Sequence, residues 1–177
     1  QLALVKQLGP RCGIRETVLL STCNRTEFYL ANMESPAKDL LDTLQRCWGI
    51  PELTQTHYLL RDHVALGHLF RVAASLDSMV VGEPQILGQL KEAFGNFQEA
   101  KLSGRFLYVI FTRAFSIAKR IRSETSIGDN AVSISYAAVE LARRIFEDLH
   151  EQKVLVIGAG EMAELAIRHL LRNGISR

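Results

Sequence analysis

Four apolar residues, Val154-Leu155-Val156-Ile157, run directly into Gly158-Ala159-Gly160-Glu161-Met162-Ala163. Beyond them Leu165, Ala166, Leu170 and Leu171 recur at helical spacing. A short continuous apolar run suits a strand, and the glycines punctuate a tight turn into a helix. Strand, then Gly-x-Gly-x-x-Ala, then helix is the dinucleotide-binding fingerprint, with Ala163 in place of the third glycine. Gly158 permits the turn, Gly160 lets a pyrophosphate approach the backbone, and Ala163 allows close helix–strand packing. This stretch therefore commits the end of the chain to the opening βα unit of a Rossmann-type domain. The residue that separates NAD from NADP is expected about 20 positions further on, past Arg177.

A second constraint lies near the other end, in Thr17-Val18-Leu19-Leu20-Ser21-Thr22-Cys23-Asn24-Arg25-Thr26-Glu27-Phe28-Tyr29-Leu30. Val18–Leu20 and Phe28–Leu30 are brief, β-prone and bounded by polar residues, so they read as two strands of a hairpin. Cys23 sits in the polar loop between them. A thiol attacks as thiolate, and its ordinary pKa of about 8.5 is lowered by nearby cations and amide donors. Arg25 is a permanent cation two residues on, suited either to that task or to gripping an anion through its forked donors. Local chemistry leaves two readings, a reactive thiol or a buried structural cysteine.

Charge and cysteine usage narrow the class. A net charge of +2 is too small to argue nucleic-acid binding by itself. No apolar run approaches the roughly 18 residues of a membrane span. Three cysteines (Cys12, Cys23, Cys47) without C-x-x-C spacing argue against a disulfide framework or a zinc site, so no metal is expected. The chain opens at Gln1 within a helical pattern and stops soon after a strand and helix, and it reads as a piece of a longer protein.

Between the two constraints the periodicity is mostly helical. Leu2, Leu4, Val5 and Leu8 form a first segment, stopped by Gly9-Pro10. Ser35-Pro36 opens a helix with Leu40, Leu41, Leu44 and Trp48 on one face. His57-Tyr58-Leu59-Leu60 reads as a further strand, with His57 on the surface. Asp62 to about Val81 reads as one helix whose core stripe is Ala65, Leu69, Val72, Leu76 and Met79. His68 and Ser75, seven apart, would share a face about 10 Å apart along that helix; such a histidine is structural or catalytic. Gly82-Glu83-Pro84 ends the helix and starts the next, where Gln85 and Gln89 stack at i, i+4. That helix start is either a polar-ligand site or an ordinary exposed end. A long helix over Phe106–Arg122 turns Ile110, Ala114, Ile117 and Ile121 inward. Its Arg113, Lys119, Arg120 and Arg122 could meet phosphates or form a solvated face. Ser126-Ile127-Gly128-Asp129-Asn130 is the best linker, and a helix over Ser133–Leu149 carries Ala137, Leu141, Ile145 and Leu149 inward.

Taken together, these stretches resemble the glutamyl-tRNA reductase family. The resemblance rests on Ser21-Thr22-Cys23-Asn24-Arg25-Thr26-Glu27 and on Leu76-Asp77-Ser78-Met79-Val80-Val81-Gly82-Glu83-Pro84-Gln85-Ile86-Leu87-Gly88-Gln89. It continues in Ala118-Lys119-Arg120-Ile121-Arg122 with Ile127-Gly128, and in Gly158-Ala159-Gly160-Glu161-Met162. It implies NADPH-dependent reduction of glutamyl-tRNA to glutamate-1-semialdehyde, the first step of tetrapyrrole (porphyrin and haem) biosynthesis by the C5 route. Cys23 would be the nucleophile that forms a glutamyl thioester, and His68 the histidine near the thiol. Thr22, Cys23, Asn24, Arg25, Ser78, Glu83, Pro84, Gln85 and Gln89 would bind substrate. Gly158, Ala159, Gly160, Glu161, Met162 and Ala163 would bind NADPH.

The fold implied is an α+β catalytic domain over 1–127, a small antiparallel sheet with packed helices. A linker and connecting helix over 128–150 would lead to the start of the NADPH-binding Rossmann domain at 151–177. The resemblance also implies a homodimer through C-terminal segments outside this chain and a complex with the downstream aminomutase. Its location would be cytoplasmic, or the plastid stroma in a photosynthetic eukaryote. The chain by itself is not expected to complete turnover. One departure stands out: the family usually has glycine where this chain has Ser75. Glycine within a helix costs about 1 kcal/mol, so the position is expected to need room, and Ser75 to alter activity modestly. Two rivals differ in class, namely another thiol-dependent acyl or aldehyde dehydrogenase, and a non-catalytic tRNA- or protein-binding module.

Overall fold

The computed structural model describes residues 5–6, 13–31, 37–48, 57–128, 134–146 and 148–175. For 37–40, 47, 48, 134 and 161 it describes the backbone only. The expectations for Leu2, Leu4, Leu8, Gly9-Pro10, Cys12, Ser35-Pro36, Asp129, Asn130 and Ser133, and for the Leu40, Cys47 and Trp48 side chains, lie outside the described residues.

The hairpin forms as its sequence requires. Strand β1 (Glu16–Ser21) pairs antiparallel with β2 (Thr26–Ala31), from Glu16 opposite Ala31 to Ser21 opposite Thr26. Val18, Leu19 and Leu20 are all buried, so β1 is covered on both faces. After α1 (Ala37–Trp48), helices α2 (Asp62–Ala73), α3 (Gln85–Glu99) and α4 (Arg105–Glu124) supply the cover. Helix α3 packs on β1, α4 on both strands and on α2. The centre is aromatic. Phe94 and Phe111 stack with centroids 5.0 Å apart, and Tyr29 meets Phe111 edge-on at 5.3 Å. Each such ring buried contributes about 1.5–3 kcal/mol. The architecture is the expected α+β arrangement of a small antiparallel sheet and packed helices.

Helix α4 starts where β1 places a carboxylate. Gly104 is its N-cap residue and has no side chain to offer. Glu16, the first residue of β1, instead accepts the Leu107 N–H at 2.8 Å and the Phe106 N–H at 3.4 Å. Two of the first-turn donors that a helix leaves unmet are thereby satisfied, next to its positive dipole end. A Cβ on Gly104 would lie 2.5 Å from the Glu16 carboxyl carbon, so the absence of a side chain makes the contact.

Several sequence expectations give way. Helix α2 stops at Ala73 instead of continuing to Val81, because Ser75 adopts φ 61°. The Ser75 N–H bonds the Val72 carbonyl and the Leu76 N–H the Arg71 carbonyl, a Schellman ending. Leu69 and Val72 are buried as expected, but Leu76 and Met79 are exposed and Ala73 takes their part. His57–Leu60 forms no strand. In α4 the inward face is Leu107, Phe111, Ala114 and Ala118, with Ile110 and Ile121 only flanking it. A 3₁₀ turn, Ser126–Gly128, follows.

The remaining residues form a second cluster. Helix α5 (Ile134–Ile145) packs on α6 (Glu161–Arg172), burying Val139, Leu149 and Ile175. The expected stripe is corrected here too: Leu141 and Ile145 are exposed, and the helix ends before Leu149. Val154–Ile157 precedes the glycine turn in the expected order but joins no ladder among the described residues, and Leu155 and Ile157 are 85% and 90% exposed. A strand needs a neighbour for its backbone groups, and none lies beside this run among the described residues.

Candidate active site

The loop joining β1 to β2 is held from within. Thr22 N–H donates to the Arg25 carbonyl at 2.9 Å. The Thr22 hydroxyl oxygen accepts the Asn24 N–H at 3.2 Å and the Arg25 N–H at 3.1 Å. A threonine that satisfies two loop amides fixes a tight turn without glycine. Its tip is Cys23, an exposed free thiol, with Asn24 exposed beside it. The buried structural reading of Cys23 is therefore set aside.

Below the loop, side chains alternate along the strand. Arg25, Glu27 and Tyr29 are spaced by two and fall on one face. Glu27 is only 7% exposed and is the hub. It accepts from Arg25 Nη1 at 3.1 Å, from the Tyr58 hydroxyl at 2.7 Å and from the Tyr29 hydroxyl, and its Oε1 lies 3.0 Å from His68 Nε2. The other ring nitrogen, His68 Nδ1, lies 3.2 Å from Asp77 Oδ2. That same oxygen is 3.4 Å from Arg25 Nη1, while Arg25 Nη2 donates to the Asp77 carbonyl. Tyr58 stands edge-on to the His68 ring, with centroids 5.6 Å apart.

Electrostatics follow from this wiring. Burial works to raise the Glu27 carboxyl, but hydrogen bonds from Tyr29, Tyr58 and His68 outweigh it and hold the pKa below the usual value. The Tyr58 phenol is pushed up to about 12 by burial and by its bond to Glu27. Tyr29 is driven up further by burial and the same carboxylate. Glu27 is thus an ionised carboxylate inside a ring of donors. Arg25 and His68 are both fixed to a common pair of carboxylates, Glu27 and Asp77.

The residues after α2 are pinned around this network. Ser75, fully buried, donates its hydroxyl to the Glu83 carbonyl at 2.6 Å, and its own carbonyl accepts the Gly82 N–H at 2.9 Å. Arg122 of α4 donates to the Gly82 carbonyl at 3.1 Å. These bonds hold the 76–83 stretch, which presents Asp77 to the network and carries Ser78 next to it. The expectation that Ser75 shares the His68 face does not hold: Ser75 lies past the helix end and its hydroxyl is committed to Glu83. Burial raises the Glu83 carboxyl above its usual value. Pro84 is the N-cap residue of α3, and Gln85 and Gln89 lie on its first turns, Gln89 exposed. Among the described residues no hydrogen bond joins Ser78, the Glu83 side chain, Gln85 or Gln89 to the Cys23 loop. Sequence reasoning missed Glu27, Tyr29, Tyr58 and Asp77. The period-two run Arg25-Glu27-Tyr29 was a usable signal for the first two.

In the second cluster the glycine turn has the required backbone. Gly158 adopts φ 119°, and a Cβ on Gly158 or Gly160 would meet nothing within 4 Å. Gly160 caps α6 without a side-chain hydrogen bond, so among the described residues no side chain caps the first turn of α6. Ala163 is half-buried, and the Met162 carbonyl accepts the Ser135 hydroxyl at 3.1 Å. An open turn leading to uncapped amides fits a dinucleotide pyrophosphate.

A hairpin thiol over an arginine–histidine–carboxylate network, followed by a glycine turn and helix, defines a thiol-bearing α+β domain joined to the start of a dehydrogenase-type unit. Residues 2–125 match the family model for the glutamyl-tRNA reductase N-terminal domain, and residues 140–177 match that for shikimate/quinate 5-dehydrogenase. The chain belongs to the glutamyl-tRNA reductase family. It is 50% identical over 167 residues to the glutamyl-tRNA reductase of Saccharophagus degradans, covering 93% of this chain and 39% of that protein. The Geobacter sulfurreducens enzyme is 52% identical over 165 residues, with 91% and 38% covered. The solved glutamyl-tRNA reductase of Methanopyrus kandleri superposes with a TM-score of 0.65 at 38% identity, covering 99% of this chain and 42% of that one. The chain spans about two fifths of the length of these relatives.

Proposed function

We propose that the whole protein reduces glutamyl-tRNA to glutamate-1-semialdehyde with NADPH, opening tetrapyrrole biosynthesis, through a thioester on Cys23. The observation that carries this reading is the exposed Cys23 thiol at a turn whose last residue, Arg25, is wired through Glu27 and Asp77 to His68. The Cys23 thiolate attacks the ester carbonyl, the bond to the tRNA 3′ oxygen breaks, and tRNA leaves with a proton handled at His68. The covalent step replaces one hard reaction with two easier ones. Arg25 binds the glutamyl side-chain carboxylate, for which a guanidinium offers paired donors. Thr22 and Asn24 frame the loop, and Ser78, Glu83, Pro84, Gln85 and Gln89 complete the substrate cleft.

Gly158, Ala159, Gly160, Glu161, Met162 and Ala163 hold the cofactor pyrophosphate. Bound NADPH supplies the hydride that releases the aldehyde. Domain limits at 127 and 150, a homodimer through C-terminal segments, docking of the aminomutase that consumes the reactive aldehyde, and a cytoplasmic setting belong to the same reading. The test is deacylation of glutamyl-tRNA without NADPH by the full-length protein. Rapid deacylation that vanishes in Cys23→Ser, with both proteins folded by circular dichroism, is the expected result. Equal rates in the two proteins would refute it.

A further inference from the structure

The geometry points to an exchange of carboxylates at Arg25. The Asp77 carboxylate and backbone carbonyl hold the guanidinium in the free protein, and the side-chain carboxylate of a glutamyl ester takes the place of the Asp77 carboxylate, leaving that carboxylate on His68 alone. This deepens the reading of glutamyl-tRNA as substrate and rests on it.

The cation meant for the substrate is already engaged. Arg25 Nη1 lies 3.1 Å from Glu27 Oε1 and 3.4 Å from Asp77 Oδ2, and the side chain is only 14% exposed. A third carboxylate arriving at this guanidinium must crowd two like charges or replace one of them. Glu27 cannot yield. It is 7% exposed, sits in β2 opposite Leu20, and gathers donors from Tyr29, Tyr58 and His68, so vacating would strand a buried charge.

Asp77 can yield. It is 36% exposed and lies in the non-helical stretch between α2 and α3. The contact of its carboxylate with Arg25 is the longer of that group's two contacts, the other being His68 Nδ1 at 3.2 Å. Letting go of Arg25 therefore leaves Asp77 hydrogen-bonded, and a part-exposed pair is cheaply given up. The exchange makes Asp77 a competitor for Arg25 that only an acidic ligand displaces. Only a ligand that returns a negative charge to Arg25 restores the network, so a neutral glutaminyl ester meets a guanidinium still closed by Asp77. Asp77 is also a positioning residue for His68, because it stays on Nδ1 throughout.

The full-length protein carrying Cys23→Ser, which cannot form the thioester, allows the binding of glutamyl-tRNA and glutaminyl-tRNA to be compared directly. Adding Asp77→Asn removes the resident charge while keeping a hydrogen-bonding side chain. The preference for glutamyl over glutaminyl is expected to rise about threefold, as for loss of a competing part-exposed ion pair. Asp77→Glu keeps the charge and should leave the preference near that of Asp77. A crystal structure with a glutamyl-adenosine ester should show the Asp77 carboxylate off Arg25 and on His68. An unchanged preference in Asp77→Asn, or a complex with Asp77 Oδ2 still on Arg25 beside the ligand carboxylate, would overturn the exchange. Failure of the Cys23→Ser protein to bind either tRNA would instead remove the substrate reading beneath it.

Discussion

A carboxylate as buried as Glu27 stays ionised only when donors replace the water it has lost. Four side chains do so here: Arg25, Tyr29, Tyr58 and His68. Because its folded pKa lies below the ordinary 4.5, the stabilisation is complete above that value and is lost as pH falls through the lower folded pKa. Glu27→Gln should therefore lose stability at neutral pH and show a shallower decline below pH 4.5, read by thermal melts across an acid series. A decline as steep as that of the wild type would contradict the assignment. Ser75 poses a finer balance. Its left-handed backbone costs about 1 kcal/mol, and its buried bond to the Glu83 carbonyl returns about as much. Ser75→Gly removes both and should be near neutral, with turnover unchanged. Ser75→Ala keeps the strain and loses the bond, so about 1–2 kcal/mol of stability should go. Chemical denaturation separates the two variants, and equal losses would refute the account.

Elements meet through a few long-range polar contacts that no local pattern announces. Glu16 of β1 closes the start of α4 across the space left by Gly104. Gly104→Ala forces backbone or carboxylate to shift and should cost about 1–3 kcal/mol; a stability loss under 0.5 kcal/mol would show that the contact relaxes freely. The hairpin was legible in Val18–Leu20 and Phe28–Leu30 because short β-prone runs around a polar turn have few other solutions. The end of α2 was not, since Leu76 and Met79 continue the helical spacing past a serine that turns left-handed. In α4 the spacing points to Ile110, Ala114, Ile117 and Ile121 as the core face, whereas the Phe111 ring and its i−4 neighbour Leu107 take the interior with Ala114 and Ala118, shifting the stripe. The thiol, the arginine and the histidine could be named from the sequence through a family resemblance. Their wiring could not, because Tyr58 and Asp77 reach Glu27 and His68 from separate segments of chain.

At the scale of the molecule, stability and chemistry are divided between two clusters. The α+β core is built on Phe94, Phe97 and Phe111, whereas Val154–Ile157 faces solvent in this chain. Phe111→Ala should cost about 3–5 kcal/mol, while Leu155→Ser should change stability by less than about 0.5 kcal/mol. Equal effects would mean that Leu155 is packed in solution. The glycine turn and α6 fit a cofactor pyrophosphate, and the hairpin fits an acyl acceptor, so the central claim is that Cys23 takes up the glutamyl group. The most direct measurement is the intact mass of the full-length protein, quenched in acid after mixing with glutamyl-tRNA in the absence of NADPH. The account predicts an adduct of one glutamyl unit on the peptide bearing Cys23, lost on treatment with hydroxylamine and absent from Cys23→Ser. A folded protein that deacylates glutamyl-tRNA with no such adduct, or one that carries it on another residue, would contradict the account.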